Sequence, residues 1–290
     1  MNIQYSFDDS EQGKLYVVPT PIGNLADMTY RSVQVLQEAT IIAAEDTRHT
    51  KKLLNYYDIK TPLISYHEHN EKHRSEELIN RLLQGEMIAL VSDAGMPGIS
   101  DPGHVLIQRA IDAKINVIVL PGANAALTAL IGSGLATDQF LFYGFLPRKQ
   151  KARRDILSTL KNKSATLIFY ESPFRVKDTV ATIYEQFGDR QLVIARELTK
   201  QFETYLRGKT SEIITWLEKN DVIGECCIVV EGDSSDRKNA QLLWWSPFSV
   251  EEHVDHYIND VNLSTKDAIK LVAKDRQMNR RDVYQKYHRQ

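Results

Sequence analysis

The chain has 290 residues, enough for two domains with sizeable cores, and an ordinary globular composition: 42% hydrophobic, 26% charged, formal net charge −2. A charge so near zero excludes a global field directed at nucleic acid or membrane, so any basic surface has to be local. The two cysteines, Cys226 and Cys227, are neighbours in a strand-like run, which excludes a disulfide framework and a four-ligand metal site and fits a reducing cytoplasm.

Residues 1–14 read as a disordered leader, polar and acidic, with no apolar core of an export signal. No apolar run elsewhere approaches the roughly 18 residues of a membrane span, so the expectation is a cytoplasmic protein without a membrane partner. Leu15 to Val18 reads as a strand running into Pro19-Thr20-Pro21-Ile22-Gly23-Asn24. Helix Arg31–Ala39, strand Ile41–Ala44, helix Thr47–Tyr57, strand Leu63–Tyr66 and helix Glu71–Gln84 follow. Strand Met87–Val91, a helix through Val105 and Ala110, and strand Asn116–Leu120 complete an alternation that predicts a largely parallel sheet with helices on both faces, over 15–136.

Pro121-Gly122-Ala123-Asn124 leads into a small-residue helix through Ala125 and Ala129, and the pattern changes at Thr137-Asp138. Strands at Phe140–Phe145, Thr166–Tyr170, Leu192–Ala195, Thr204–Arg207 and Cys226–Glu231 predict a second α/β domain over 137–232. Two of these strands are consecutive without a helix, so the sheet is expected to be mixed. A linker from Asp233 to Asn239 then precedes three short helices, giving a linker and basic helical tail over 233–290.

The most informative stretch is Val91 to Gly103, with three glycines and two prolines in thirteen residues. Such a loop at the carboxyl end of a strand lets a ligand approach the backbone, while Asp93 and Asp101 supply carboxylates. Asp101 is also expected to cap the next helix, with Pro102 at its first position. Glu45-Asp46-Thr47-Arg48, Glu171-Ser172-Pro173-Phe174-Arg175 and Arg196-Glu197-Leu198-Thr199-Lys200 place acids and bases at three more strand ends. The first has a plainer reading as a helix cap through Asp46 or Thr47; the other two place acid and base where a cleft between the two sheets would collect them.

Other motifs fail. Gly208-Lys209-Thr210 lacks the glycine-rich segment of a phosphate loop, and Gly132-Ser133-Gly134 ends a helix where a dinucleotide fingerprint would open one. His67, His69 and His73 with Glu68 and Glu71 do not have zincin spacing and read as a solvated helix start; no metal is expected. Seven Lys or Arg against one acid between Arg148 and Lys163, and eight against three between Lys266 and Arg289, suit a phosphate backbone.

Val18-Pro19-Thr20-Pro21-Ile22-Gly23-Asn24-Leu25, Ala44-Glu45-Asp46-Thr47-Arg48, Ser92-Asp93-Ala94-Gly95-Met96-Pro97, Ser100-Asp101-Pro102-Gly103, Gly144-Phe145-Leu146-Pro147, Tyr170-Glu171-Ser172-Pro173, Arg196-Glu197-Leu198-Thr199-Lys200 and Gly224-Glu225, together, resemble the tetrapyrrole methylase-like, class III, S-adenosylmethionine methyltransferases, in their branch that modifies ribosomal RNA. The resemblance implies a two-domain α/β fold with a small helical C-terminal appendage, a homodimer, and S-adenosylmethionine near Pro21, Asp93, Ala94, Gly95, Ile99, Ser100, Asn124, Ala125, Tyr170, Glu171 and Gly224. It implies methyl transfer to the ribose 2′-hydroxyl of a cytidine in the decoding region of 16S rRNA, within an assembled small ribosomal subunit. The Asp93 segment lacks the Gly-Asp-Pro order of many tetrapyrrole enzymes, which speaks against a tetrapyrrole substrate.

On this reading Asp46, Glu171 or Glu197 accepts the hydroxyl proton and Lys200 or Arg48 positions the nucleotide. Arg48, Arg148, Lys149, Lys151, Arg153, Arg154, Arg280 and Arg281 meet RNA. Two alternatives stand beside it: a small-molecule methyltransferase of the same fold, which would need no basic tail, and a cofactor-binding RNA-binding protein without catalysis.

Overall fold

The computed structural model describes residues 3–6, 13–233, 244–245 and 247–288. The first compact unit, Met1–Glu231, holds two five-stranded sheets, and the second, Gly232–Gln290, is helical. Residues 1–2 and 7–12 of the expected leader, and the expected linker past Asp233, lie outside the described residues. Gln4 is described, and its side chain bonds both the N–H and the C=O of Val117.

The first sheet comprises β1 (Lys14–Val17), β2 (Ile41–Ala44), β3 (Leu63–Ser65), β4 (Ile88–Val91) and β5 (Asn116–Val119), in the order β3-β2-β4-β1-β5. All its pairings are parallel. Side chains alternate across it: Ala89 and Val91 of β4 pack with α1 (Tyr30–Glu38) and α2 (Thr47–Tyr56), Ile88 and Leu90 with α3 (Glu71–Leu83) and α4 (His104–Asp112). Both faces are therefore covered, as an all-parallel sheet requires. Because the strands are parallel, the loops after β1, β2, β4 and β5 all emerge along one edge.

The second sheet comprises β6 (Phe140–Phe145), β7 (Thr166–Glu171), β8 (Gln191–Arg196), β9 (Thr204–Lys209) and β10 (Cys226–Val230), in the order β6-β7-β10-β8-β9. It is mixed, with only β6 and β7 parallel among these pairings. Helices α6 (Gln150–Leu160), α7 (Pro173–Phe187) and α8 (Thr210–Leu217) cover one face. The other face receives α5 (Ala125–Ser133), whose Ala126, Ala129 and Leu130 pack on Ile168, Val193, Ala195, Cys227 and Val229. Small residues on α5 let it approach closely; a Cβ on Gly132 would collide with the Tyr205 ring. Arg207 donates to Gly132 O at 3.1 Å, placing a cation at the carboxyl end of this helix. Cys226 and Cys227 are free and buried on opposite faces of β10.

The second unit packs α9 (Val250–Asn259), α10 (Thr265–Asp275) and α11 (Arg280–His288) around Val254, Ile269, Val272 and Val283. Ser249 caps α9 in a reciprocal box with Glu252, and Ser264 caps α10. His253 is fully buried, its Nδ1 accepting from Arg276 Nε at 3.1 Å and its ring stacked between Trp245 and Tyr257. Burial, then the Arg276 guanidinium, lowers its pKa from 6.5 to about 4, against a weaker opposing pull from Asp275. Folding thus selects the neutral ring, so this contribution is complete above pH 6.5 and lost as pH falls toward 4. The expected loss is at most about 3 kcal/mol, read as a drop in the melting midpoint followed by tryptophan fluorescence; a midpoint flat across that window would refute it.

Candidate active site

The loop after β4 is bound to the loop after β1 by a two-way backbone bridge: Thr20 N–H to Gly95 O at 2.9 Å and Gly95 N–H to Thr20 O at 3.0 Å. Gly95 has φ +81°, a conformation that favours glycine, and a Cβ there would stand 3.3 Å from the Ile22 side chain, which would have to give by a few tenths of an ångström. The same loop reaches the second sheet. Ser100, at φ +63°, lies against Gly144, where β6 bulges and a Cβ would come 3.2 Å from the Ser100 hydroxyl. Asp101 does not cap α4 as expected: the helix starts at His104 with Gly103 in the capping position. Its carboxyl is left facing a cleft between the two sheets.

That cleft encloses about 500 Å³. Ile22, the Asp93 to Met96 turn, Ile99 to Asp101, and Asn124 and Ala125 at the start of α5 form one wall; Phe145, Tyr170 to Pro173, Leu198 and Glu225 to Cys227 form the other. The amino end of α5 is closed by two acceptors. Asn124 Oδ1 takes the Leu127 N–H at 3.0 Å, and the Tyr170 hydroxyl oxygen takes the Ala126 N–H at 3.2 Å. Burial pushes the Tyr170 phenol up to about 12, so it stays protonated.

Five carboxyl residues line the cleft and no Lys, Arg or His does; three of the five, Glu45, Asp93 and Asp101, raise one another's charge cost. Asp93 Oδ1 accepts the Asp46 N–H at 3.0 Å. Burial first, and then the charge of Asp93, raises the pKa of Glu45. Burial first, and then the charge of Glu45, raises Asp101 to about 7. The cleft is therefore shaped for a cation, which would relieve this mutual repulsion.

Of the residues expected around a cofactor, Asp93, Ala94, Gly95, Ile99, Ser100, Asn124, Ala125, Tyr170 and Glu171 line the cleft. Pro21 and Gly224 stand just outside it, next to Ile22 and Glu225, which do line it. Gly224, at φ +85°, is held against Glu197, with whose carboxylate a Cβ would collide.

The expected proton acceptors sit less favourably. Asp46 caps α2 and pairs with Arg48, whose hydrogen bond holds its carboxyl well below the usual range; neither residue lines the cleft. Glu197 accepts from Lys200 Nζ at 3.0 Å and from the Glu225 N–H at 3.1 Å, and its pKa is lowered, chiefly by Lys200. Glu171 is buried, with Oε1 taking the Ser172 N–H at 2.9 Å and Oε2 taking the Thr179 hydroxyl at 2.7 Å and facing Arg175 at 3.2 Å. Lys200 bridges Glu197 and Glu225; burial alone would lower its pKa, but these two bonds outweigh it and raise it. Its stem lies against the loop after β1, where a Cβ on Gly23 would meet it.

Among the expected RNA contacts, Arg148, Lys149, Lys151, Arg280 and Arg281 are exposed. Arg48 is exposed although paired, and Arg154 pairs with Glu185 at 2.8 Å. Arg153 is a correction: it is 5% exposed and bonds Thr182 Oγ1 at 3.1 Å, because it shares a helical face with Leu157 and Leu160. Among the described residues no cluster of three or more His, Cys, Asp or Glu could hold a metal ion, and no helix is long and apolar enough to cross a membrane.

The profile of the Tetrapyrrole (Corrin/Porphyrin) Methylases matches residues 14–214, and the chain belongs to that family. The solved structure of the methyltransferase CobJ shares its fold, with a TM-score of 0.58 at 17% identity, covering 77% of this chain and 95% of that one. Over their full length, curated members are much more similar. Ribosomal RNA small subunit methyltransferase I of Halalkalibacterium halodurans is 50% identical over 291 residues, 100% of each chain, and its namesake from Bacillus subtilis 48% over 286 residues, 98% of each chain.

Proposed function

We propose that this chain transfers a methyl group from S-adenosylmethionine to small-subunit ribosomal RNA, at the ribose 2′-hydroxyl of a cytidine in the decoding region of 16S rRNA. The observation that carries the reading is the extent of the match: an alignment at 50% overall identity spans the whole chain, and so extends past residues 14–214 of the family match through the C-terminal helices. That helical unit is electrically divided. α9 carries Glu251, Glu252 and Asp255 and no Lys or Arg, whereas Lys266, Lys270 and Lys274 form an exposed ridge on α10. Like charges four residues apart weaken a helix slightly, so such a ridge suits a polyanion.

The cleft fits the cofactor. Its volume suits a nucleoside-sized ligand, its two walls offer Ile22, Ile99 and Ala125 on one side and Leu198 on the other, and the carboxyls of Glu45 and Asp93 match a sulfonium and an amino group. Bound S-adenosylmethionine supplies a methyl group made electrophilic by a cationic sulfur. The chain's own contribution is alignment and proton removal, since a ribose hydroxyl is a weak nucleophile. Asp101 accepts that proton: it faces the cleft and its carboxyl, unlike those of Asp46, Glu171 and Glu197, is not committed to a strong cationic partner. Lys200, fixed beside the loop after β1, positions the nucleotide at the rim. A homodimer in the cytoplasm completes the proposal; Leu127 and Ile131 leave one stripe of α5 exposed in the single chain, as a subunit contact would use.

The test is label transfer. Purified protein, methyl-labelled S-adenosylmethionine and small subunits lacking the modification are expected to give one methyl group per subunit, recovered on a ribose after nuclease digestion. Label on a base, or transfer only to small molecules, would overturn the reading.

A further inference from the structure

Phe174 is the second residue of α7, and its side chain is 95% exposed. An isolated exposed apolar residue ordinarily needs no explanation; the position of this one does. The residues immediately before it, Glu171, Ser172 and Pro173, line the cleft. Their turn is held rigidly: Pro173 opens the helix, Glu171 bonds Ser172 and Thr179, and Arg175 donates to Leu146 O at 2.8 Å. The ring is thus presented to solvent by a fixed scaffold.

Its neighbours along the chain are charged rather than apolar, with Arg175 and Lys177 close by and Asp178 one helical turn on. Arg175 ties the turn to the segment after β6, where Arg148 and Lys149 are exposed and make no ion pair among the described residues. Lys177 and Asp178 follow Phe174 along α7, both exposed. A protein partner would ask for a patch of apolar neighbours around the ring; an aromatic side chain that is 95% exposed, with Arg175 and Lys177 beside it in the chain, suits a base and its phosphates. Inside the cleft Phe145 provides a second, 56% exposed ring, 5.7 Å from Tyr170.

We propose that Phe174 is a stacking platform for an unpaired nucleobase of the RNA, held at the mouth of the cleft. This inference rests on the RNA methyltransferase reading. Bringing one ribose into a cleft between two sheets requires its nucleotide to leave the stack, and an aromatic face at the mouth offsets that loss.

Phe174→Ala, Phe174→Leu and Phe174→Trp in the full chain test it, with KM for undermethylated small subunits, kcat, calorimetric affinity for S-adenosylmethionine and oligomeric state measured for each. The alanine and leucine variants are expected to raise KM about 5- to 100-fold with cofactor affinity within two-fold of wild type, and tryptophan to keep KM within about three-fold. Leucine restoring KM as well as tryptophan, or an alanine variant that changes oligomeric state, would overturn stacking. Wild-type transfer with an unaffected alanine variant overturns this inference alone, whereas absence of transfer by the wild type overturns the RNA reading and this inference with it.

Discussion

Asp101→Asn is expected to lower kcat for methyl transfer by about 10²- to 10⁴-fold, the range of a lost general base, while the protein becomes more stable at pH 8. Both effects come from one fact: the carboxyl lies in a cleft whose burial, together with the charge of Glu45, lifts its pKa from 3.8 to about 7. A group with that value is deprotonated in a useful fraction at neutral pH and still basic enough to draw a hydroxyl proton in the transition state. The wild-type kcat/KM for S-adenosylmethionine, which follows the free protein, should fall ten-fold per unit below about pH 7 and level off above it, whereas the residual kcat/KM of the asparagine variant should be flat across the same window. For stability the sign is opposite. A raised carboxyl favours folding in its protonated form, so that contribution is complete below pH 3.8 and lost as pH rises through 7. Replacing it by a neutral amide removes the strain of the charged form, and partial exposure limits the gain to the order of 1–2 kcal/mol. A variant that retains more than a third of wild-type kcat, or that melts lower at pH 8, would remove Asp101 from the reaction.

The strand-end loops were legible because Pro and Gly cluster there and because a parallel sheet sends all its carboxyl ends one way. The chemistry within them was less so. Asp101 reads as a helix cap beside Pro102, yet Gly103 follows, and a glycine inside the first turn is a poor helix residue; it takes the capping position at φ +149° instead. Glu45 was hidden by its neighbour Asp46, which has the spacing of a cap and serves as one. Arg153 looked like one cation among seven, although its separation from Leu157 and Leu160 already set it on the buried face of α6. What no pattern in the sequence exposes is the coupling of Glu45 to Asp101, because it depends on two loops from different strands meeting.

Glu171→Ala is expected to destabilise the protein by about 3–5 kcal/mol, the cost of removing one partner from a buried ion pair, and to lose activity only in proportion to the fraction unfolded. Alternation along β7 puts Glu171 on the same face as Leu167 and Phe169, beneath α7, whereas Tyr170 points to the α5 side. There its oxygens take the Ser172 N–H and the Thr179 hydroxyl and face Arg175. Truncation leaves the Arg175 guanidinium, 23% exposed and with its Nε already without a partner among the described residues, with only its bonds to Leu146 O and Pro147 O, and it frees the first turn of α7. Glu171→Gln keeps an acceptor for the Ser172 N–H and loses the ion pair, so it should cost less than alanine. Urea titration orders the three proteins; at a temperature where all are folded, kcat should then agree within a few-fold. A glutamine variant as stable as wild type but without activity would mean that the carboxylate takes part in the chemistry, and that Asp101 does not act alone.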